Sequence, residues 1–520
     1  MSAMGIGLLC FILMFFVLGI GTYFLVKGSG KRYIICGKSL PFFLVGSMLL
    51  AQSLDANATM GNATGVYLGG FWAGFQFPLG LALCLMLTGF FYARPLNRMN
   101  LLTLPDFYFR RYNWVTEIIV SLLMGFSFAI LVAGNFAGSA WIISLVFEID
   151  YTWALILISL GIFIYTVSGG LYACAATDIV QIYPAILGFV GCFIWLLYTH
   201  GWDFFAGSIP AGYMDFSGLT KMENGALLNW AGILALGLGD IVALDFMERI
   251  FAARDGKTAQ ISCFYGAGFT ILTGLVCSGI GLMGLKLLPE VADPRMVLPS
   301  IAMTSVPFIF GLFIMGGIIG AGASTADGGI LGVSTVLGRN VLQKNVFRLW
   351  AAAKKKKGAQ VQVPQMPVSG CEITNPGSAE ADAEKVVSDR KLLIISRLMA
   401  IPVVAFAIYL AHVKPEPGIL LVLAFDVVFA GCLVPLTLGI YWKKANTPGA
   451  LSAVIVGSVL RLILFYTIPE HLAGLDTIIP PIVGLIVMVI VSLMTQEIAP
   501  PKHHVIREIP DDADVIAGIC

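Results

Sequence analysis

The chain is dominated by long apolar segments, which constrain its fold more than any other feature of the sequence. Thirteen segments contain about 20 or more mostly apolar residues, the length that an α-helix needs to cross a bilayer. Numbered α1 to α13 in chain order, they cover residues 4–26, 41–66, 72–96, 114–147, 151–170, 174–199, 227–251, 259–288, 303–341, 391–412, 417–442, 447–467 and 476–497. Because lipid offers no hydrogen bonds to an open backbone, the pattern predicts an all-α polytopic membrane protein.

The composition argues against several classes of protein. Of the 520 residues, 58% are hydrophobic and 12% are charged, about half the charged fraction of a soluble domain. The formal net charge of +1 provides no basic surface for nucleic acid. The ten cysteines form no CxxC motif or Cys–His cluster, so neither a disulfide framework nor a zinc site is indicated. Because no nucleophile–base pair stands out, we expect neither an enzyme nor an organic cofactor.

The basic residues predict how the chain is oriented in the membrane. If the amino terminus is outside, the inner loops after α1, α3, α7, α9 and α11 and the C-terminal tail collect most lysines and arginines. The outer loops then hold only four of them: Lys221, Lys286, Arg295 and Lys414. By the positive-inside rule, we expect a cytoplasmic carboxyl terminus in the plasma or inner membrane. Because its basic residues follow the apolar run, α1 is predicted to be a retained helix and not a signal peptide.

Two polar segments interrupt the helical parts of the chain. Residues 1–341 contain α1 to α9, and residues 391–497 contain α10 to α13. Residues 342–390 form a polar insertion with a KKKK string followed by an acidic stretch, and residues 498–520 form a polar tail. Both compositions are typical of solvated cytoplasmic segments. A regulatory or lipid-headgroup site is the alternative for the insertion.

Two of the thirteen segments differ from ordinary membrane helices. The α2 string LLAQSLDANATMGNATG and the α7 string LALGLGDIVALDFMER place glycine, small polar residues and aspartate at mid-membrane depth. The segments α2–α6 and α7–α11 therefore form two blocks of five, each opening with an interrupted helix, with one helix before them and two after. Inverted repeats with broken first helices are typical of secondary transporters. Close helix packing is the alternative explanation for the glycines.

Three strings, in order, resemble the sodium/solute symporter family over essentially the whole chain. They are SGGLYACAATDIVQ (168–181), FMERIFAARDGKTAQ (246–260) and GASTADGGILGVSTVLGRNV (322–341). Within the family, YARPLNRMNLLTLPDFY and WKKANTPGALSAVIVG are most similar to the high-affinity choline transporter branch. The resemblance implies a leucine-transporter-like 5+5 inverted-repeat fold.

The resemblance also implies a sodium ion, the coupling ion, between α2 and α9. Its implied ligands are the backbone carbonyls of Ala51, Leu54 and Ala321 and the hydroxyls of Ser324 and Thr325. Oxygen ligands suit a hard cation, and carbonyls at a helix break are unpaired until an ion arrives.

Two further aspartates lie close to this implied sodium site. Asp178 lies in α6, where the family has an aspartate linked to sodium passage, and a helix N-cap is the alternative. Asp327 lies in α9, and both a structural hydrogen bond and an ion-binding role stay open for it.

The solute site is expected to differ from that of the choline branch. Ser53 and Ala243 stand where that branch has aromatic cage residues, although Phe128, Phe136 and Trp141 in α4 could rebuild part of an aromatic wall. In the related neurotransmitter-transporter family, an aspartate at the point corresponding to Asp55 binds the substrate amine. The candidate solute-binding residues are Asp55, Asp240, Asp245, Asn57, Gln76, Phe128 and Phe246.

Three roles stay open for Asp55. It could pair with a cationic or amine-bearing solute, bind a sodium ion or a proton, or cap the second half of the broken helix. A cap is also an alternative for Asp240, since GLGD precedes a new helical segment. Because α2 and α7 carry no Lys or Arg at this depth, we expect the partner of these carboxylates to be an ion, a solute or a proton.

The sequence predicts sodium-coupled symport of a small organic solute, amine-bearing or cationic, by alternating access. Proton coupling and a zwitterion, amino acid or choline as solute are the alternatives within this class. From another class, a solute sensor or ion channel could use the same fold. The expected partners are sodium, a small-molecule solute and the lipid bilayer, without nucleic acid, and the oligomeric state stays open.

Overall fold

The computed structural model describes residues 2–346 and 389–502, and this part of the chain is helical without a β-sheet. The observed spans are α1 Ala3–Val26, α2 Phe42–Ser53 with Ala56–Gly69, α3 Phe71–Arg98, α4 Trp114–Phe147, α5 Tyr151–Gly169, α6 Leu171–His200, α7 Ala226–Val242 with Leu244–Ala252, α8 Gly256–Leu287, α9 Phe308–Thr335 continuing through Val336–Val346, α10 Asp389–Val413, α11 Pro417–Gly431 with Leu433–Tyr441, α12 Thr447–Thr467 and α13 Leu475–Met494. Short helices lie in the connections: Gly30–Ile35, Pro105–Arg111, Trp202–Gly207, Ser217–Thr220 and Val297–Thr304.

The thirteen predicted segments correspond to these spans in three ways. Ten described helices are long and apolar enough to cross a membrane, which makes this a multi-pass membrane protein. The spans α7 and α11 are pairs of helices bent by 49° and 47°. The span α2 is split into a 12-residue and a 14-residue helix. The predicted all-α polytopic fold with breaks in α2 and α7 is thus confirmed, whereas the bend in α11 was not predicted.

The bounds of α9 were predicted wrongly at both ends. The segment that was expected to begin at residue 303 contains the end of a separate helix, Val297–Thr304, and α9 begins at Phe308 directly after Pro307. A proline has a fixed φ and favours the first positions of a helix, which explains this boundary. At the other end α9 continues to Val346, beyond the expected limit at 341. Residues 347–388 and 503–520, most of the two expected polar segments, lie outside the described residues.

The junction between α5 and α6 depends on a glycine. Gly170 has a φ of +56°, and an added Cβ would lie 2.4 Å from the carbonyl oxygen of Tyr33. A side chain would therefore meet both an unfavourable backbone conformation and a backbone atom. The turn ends α5 at Gly169 and starts α6 at Leu171, which sets the position of the polar residues in the first turns of α6.

The span α9 lies at the centre of the described molecule. Its residues from Ile314 to Thr335 are all buried, and it packs against α4, α6 and α10. Small residues allow these close contacts, as is common between membrane helices. Polar groups on α9 therefore face other helices and not lipid.

Candidate functional site

The break in α2 lies at Leu54 and Asp55. The first half ends at Ser53, and Asp55 is the N-cap of the second half, accepting a hydrogen bond from the Ala58 N–H at 2.8 Å. In a continuous helix the Ala58 N–H would donate to the Leu54 carbonyl. The aspartate therefore diverts this donor, and the Leu54 carbonyl is released from the usual helical bond.

Asp55 has two further partners besides the cap. The Asn135 side-chain amide of α4 donates to its carboxylate at 2.7 Å, and Asn57 donates at 3.4 Å. Asp55 is 1% exposed. Of its three possible roles, the capping interaction is visible in the structure, and its roles toward ion or solute stay predictions. Asn135 was missed because it lies 80 residues away in sequence.

The predicted sodium ligands lie where α2, α6 and α9 meet. Ala51 and Leu54 pack with Ile182 and Ile186 of α6. An added Cβ on Gly322 of α9 would lie 2.9 Å from the Ala56 Cβ, so α9 approaches the second half of α2 closely. Ala321, Ser324 and Thr325 are buried on the same helix. The hydroxyls of Ser324 and Thr325 make no hydrogen bond within the described part of the chain.

Asp178 lies beside this group of residues. The Ser324 side chain lies next to the Asp178 carboxylate, yet neither carboxylate oxygen has a hydrogen bond of normal geometry within the described residues. The alternative role as a helix N-cap was wrong, because α6 begins at Leu171 and Asp178 lies within it.

Four buried carboxylates lie within electrostatic range of one buried arginine, and we call this group the Arg249 cluster. It consists of Asp178, Asp245, Glu248, Asp327 and Arg249. The Arg249 guanidinium pairs with Asp245 at 3.1 Å, with both side chains fully buried. The expectation that α7 holds no cation at this depth was therefore wrong for Asp245, because Arg249 lies one helical turn further on.

The Arg249 cluster leaves much of its hydrogen-bonding capacity unused. Each of its four carboxylates has at least one oxygen without a hydrogen bond in the described structure, as do Nε and Nη2 of Arg249. The Cys174 thiol donates to Asp327 at 3.0 Å. Burial of unpaired charged groups is costly unless a proton or an ion compensates their charge.

A second buried cluster, which we call the Asp106 cluster, ties the end of α9 to α4. It consists of Asp106, Glu117, Arg339, Asn340 and Lys344. Arg339 and Lys344 lie 2.5 and 2.6 Å from Asp106, and Lys344 also lies 3.0 Å from Glu117. Burial alone would raise the pKa of Asp106, but the two cations hold this pKa well below its usual range. Lys344 falls in the segment 342–390 that was expected to be a solvated loop, whereas the structure places it in the helical continuation of α9.

Asp240 lies in the break of α7, next to the side chains of Gln52 and Cys84. Gln52 of α2 donates to its Oδ1 at 3.0 Å, whereas its Oδ2 has no hydrogen bond within the described residues. The N-cap of the following helix is Ala243 in extended conformation, so the capping alternative for Asp240 was wrong. Gln52 was missed, although its position one turn before Asp55 places it at the same break.

An aromatic pair lies next to the break of α7. Phe128 of α4 makes an edge-to-face contact with Phe425 of α11, with ring centroids 6.0 Å apart. An added Cβ on Gly239 would lie 2.5 Å from the Phe425 carbonyl oxygen, which places Phe425 beside Asp240. Phe128, one residue of the expected aromatic wall, therefore contacts Phe425, which the sequence did not indicate, and the wall itself stays a prediction.

The other candidate solute-binding residues do not all lie near Asp240 and the break of α7. Asn57 donates to the Leu131 carbonyl at 3.2 Å, and Phe246 is fully buried in the second half of α7. Gln76 donates to the Ala73 carbonyl at 2.8 Å and to Asn229 at 3.4 Å. Its contacts thus join α3 to the first part of α7, away from the residues around Asp240.

Similarity to known proteins agrees with this architecture. The human high-affinity choline transporter 1 is 26% identical over 376 residues, and the chain spans 63% of the length of that relative. A sodium/pantothenate symporter of Haemophilus influenzae is 25% identical over 518 residues, covering 94% of this chain and 96% of the relative. A sodium/proline symporter of Staphylococcus aureus is 23% identical over 516 residues, covering 94% and 92%. All three relatives are named as transporters.

A solved structure and a family profile complete the comparison. The substrate-bound, outward-open structure of a Na⁺-coupled sialic acid symporter matches with a TM-score of 0.72 at 17% identity, covering 96% of this chain and 98% of the other. This confirms the predicted fold. The profile described as the sodium:solute symporter family matches residues 33–366 and 379–457. Most of the sequence lies within these two ranges, and the chain therefore belongs to the sodium:solute symporter family.

Proposed function

We propose that the protein is a sodium-coupled symporter that moves a small organic solute by alternating access. Family membership, the broken α2 and α7 spans and the buried polar groups between α2, α6 and α9 support this proposal. In the proposed orientation the amino terminus lies outside the cell membrane and the carboxyl terminus in the cytoplasm. One sodium ion entering down about 100 mV releases roughly 2.3 kcal/mol, before its concentration gradient is counted.

The unpaired oxygens of Ser324, Thr325 and Asp178 carry the proposal for sodium. These atoms are buried and lack hydrogen bonds within the described residues, and they lie beside a cluster with four carboxylates and one arginine. Sodium prefers hard oxygen ligands and would offset the excess negative charge. The backbone carbonyls of Ala51, Leu54 and Ala321 complete the proposed ligand set.

For the solute we propose a cationic nitrogen beside Asp240. Its free Oδ2, the neighbouring Gln52 and the Phe128–Phe425 pair together offer a carboxylate, an amide and aromatic surface. Such a combination suits an amine or quaternary ammonium. Asp55 is the weaker partner for the solute because its carboxylate already accepts three hydrogen bonds. Asp245, paired with Arg249, belongs to the sodium side in this proposal.

Thermal stabilisation of the purified protein tests both parts of the proposal. A panel of amines, amino acids and carboxylates is added with and without sodium, to wild type and to the Asp240→Asn and Ser324→Ala variants. We expect sodium-dependent stabilisation by cations, lost in Asp240→Asn for the solute and in Ser324→Ala for sodium. Stabilisation by carboxylates alone would contradict the cationic solute.

Transport in proteoliposomes separates sodium from proton coupling. Uptake of the solute identified in the panel is measured with a sodium gradient at equal pH, and with a pH gradient in choline-free potassium buffer. The proposal predicts uptake in the first condition. Uptake driven by the pH gradient without sodium would instead assign the coupling role of the unpaired carboxylates to protons.

A further inference from the structure

A cavity of about 430 Å³ lies between the end of α1 and the beginning of α10, far from the broken helices. Its lining includes Tyr23, Lys27, Arg390, Leu393 and Arg397. Three of the lining residues carry a positive charge. Within the described part of the chain, the lining contains no carboxylate. A cavity with this lining favours an anionic ligand.

Arg397 is held in a fixed position within this lining. Its Nη2 donates to the Ser168 carbonyl at 3.1 Å, and its guanidinium lies 5.4 Å from the ring centroid of Tyr33 and 5.7 Å from that of Tyr23. Its Nε is buried and has no hydrogen bond within the described residues. A guanidinium that its neighbours already orient at the cavity is well suited to a phosphate group.

The rim of the cavity combines charge with apolar surface. The α1 helix ends at Lys27, whose φ of +51° begins a turn continued by Gly28. Among the lining residues, Phe24 is 79% exposed and Ile394 is 49% exposed. Exposed apolar side chains on membrane spans face lipid tails, so the cations lie where headgroups meet the acyl region.

We infer that this cavity binds the phosphate-bearing headgroup of an anionic phospholipid in the inner leaflet. The inference rests on the proposed orientation, which places the end of α1 and the start of α10 on the cytoplasmic side. Basic cavities between membrane helices on that side are suited to anionic headgroups. Phe24 and Ile394 provide apolar surface for the acyl chains, which a soluble phosphate lacks.

Native mass spectrometry of the purified protein tests the inference. Phosphatidylglycerol and phosphatidylcholine are titrated into wild type, into the Lys27→Gln/Arg390→Gln double variant, and into a Lys443→Gln/Lys444→Gln control. The control removes two exposed cations after α11. Each cation near a headgroup contributes about fivefold to affinity. We expect phosphatidylglycerol binding to weaken about thirtyfold in the double variant and to stay at the wild-type level in the control.

The remaining outcomes decide between the possible ligands. Equal binding of both lipids by wild type, or equal loss in the control, would overturn the inference. Glycerol phosphate is added as a soluble competitor, and its binding without preference for phosphatidylglycerol would assign the cavity to free phosphates. Binding in detergent does not depend on orientation, which cysteine labelling from each side of a vesicle measures separately. A reversed orientation would therefore overturn the assignment to the inner leaflet, even with lipid binding intact.

Discussion

The Asp106 and Arg249 clusters are both buried and both contain several charged side chains, but they differ in balance. The Asp106 cluster has two carboxylates and two cations, and each carboxylate oxygen has a partner within 3.4 Å. The Arg249 cluster has four carboxylates and one arginine, with unpaired oxygens on every carboxylate in the described structure. Similar residues at similar burial thus form a closed network in one place and an open one in the other.

This difference indicates different functions for the two clusters. A buried charge network is stable only when its charges and hydrogen bonds are satisfied. The Asp106 cluster balances its charges and bonds every carboxylate oxygen without an added ion, although the Arg339 Nε has no hydrogen bond in the described structure, and it joins α9 to α4 and to the Pro105–Arg111 helix. The Arg249 cluster meets this condition only with additional positive charge, which sodium provides in the proposed function. We therefore interpret the Asp106 cluster as a structural contact between helices and the Arg249 cluster as a site that changes with ion occupancy.

Removing a charge from the Asp106 cluster is expected to have the largest effect on stability. Asp106→Asn removes one charge and leaves Arg339 without its main partner, and loss of one member of a buried pair costs about 3–5 kcal/mol. Chemical unfolding of the purified protein in detergent measures this loss, with the exposed Asp203→Asn as control. Sodium affinity is expected to stay unchanged, and a weakened sodium response would contradict the separation of the clusters.

The pH dependence of the stability of Asp106→Asn tests the direction in which the pKa of Asp106 is shifted. Because the pKa of Asp106 is lower in the folded protein than the unfolded value of about 3.9, its stabilisation is complete above that pH and lost below it. The stability difference between wild type and Asp106→Asn should therefore be constant from about pH 8 to about pH 5. A difference that disappears in this window would show that Asp106 is not held ionised by its partners.

Removing Ser324, a proposed sodium ligand beside the Arg249 cluster, is expected to act through sodium alone. In wild type, sodium at about a hundred times its dissociation constant stabilises the folded protein by roughly 2.7 kcal/mol. Ser324→Ala should abolish this gain without lowering stability in sodium-free buffer, because the hydroxyl has no partner in the described structure. Ser334→Ala is the matched control, since Ser334 is buried on the same helix but bonds the Leu331 carbonyl at 3.0 Å.

The sequence predicted the spans and the places where α2 and α7 break, because the bilayer imposes its demands on each segment separately. Glycine, polar and acidic residues within an apolar run are visible without knowing the neighbours, as in the string containing Asp55. The bend in α11 was missed, although Pro435 lies just after it and cannot donate to the Gly431 carbonyl.

The partners of the buried charges could not be predicted from the sequence in the same way. Asp106 and Arg339 are 233 residues apart, and Gln52 and Asp240 are 188 apart. Such pairs depend on how distant helices pack, which hydropathy and motifs do not describe. Arg249 was visible one turn after Asp245, and helical spacing could have indicated this pair.

Neutralising one carboxylate of the Arg249 cluster should raise the stability of the protein, whereas Asp106→Asn should lower it. Glu248→Gln relieves repulsion from Asp245 and removes a buried charge, so we expect sodium-free stability to rise on the order of 1–2 kcal/mol. Unfolding in sodium-free detergent measures this gain. The matched comparison is Glu117→Gln, since Glu117 is a buried glutamate of the Asp106 cluster. This variant should be less stable than wild type. Loss of stability in both variants would mean that the Arg249 cluster is as complete as the Asp106 cluster.

Asp55 shows whether pairing or location decides how a buried carboxylate behaves. It lies at the sodium-side break of α2 but is fully bonded, as the carboxylates of the Asp106 cluster are. Asp55→Ala should therefore cost about 1 kcal/mol, the usual effect of losing an N-cap, whereas Asp55→Asn keeps an acceptor and should cost a few tenths. Asp255→Ala, which removes the N-cap of α8 on Thr258, provides the reference in the same unfolding assay. Asparagine retains the cap but not the charge. A loss of solute or sodium binding in Asp55→Asn at unchanged stability would therefore show that Asp55 acts as the carboxylates of the Arg249 cluster do. The location of Asp55 would then matter more than its hydrogen bonds.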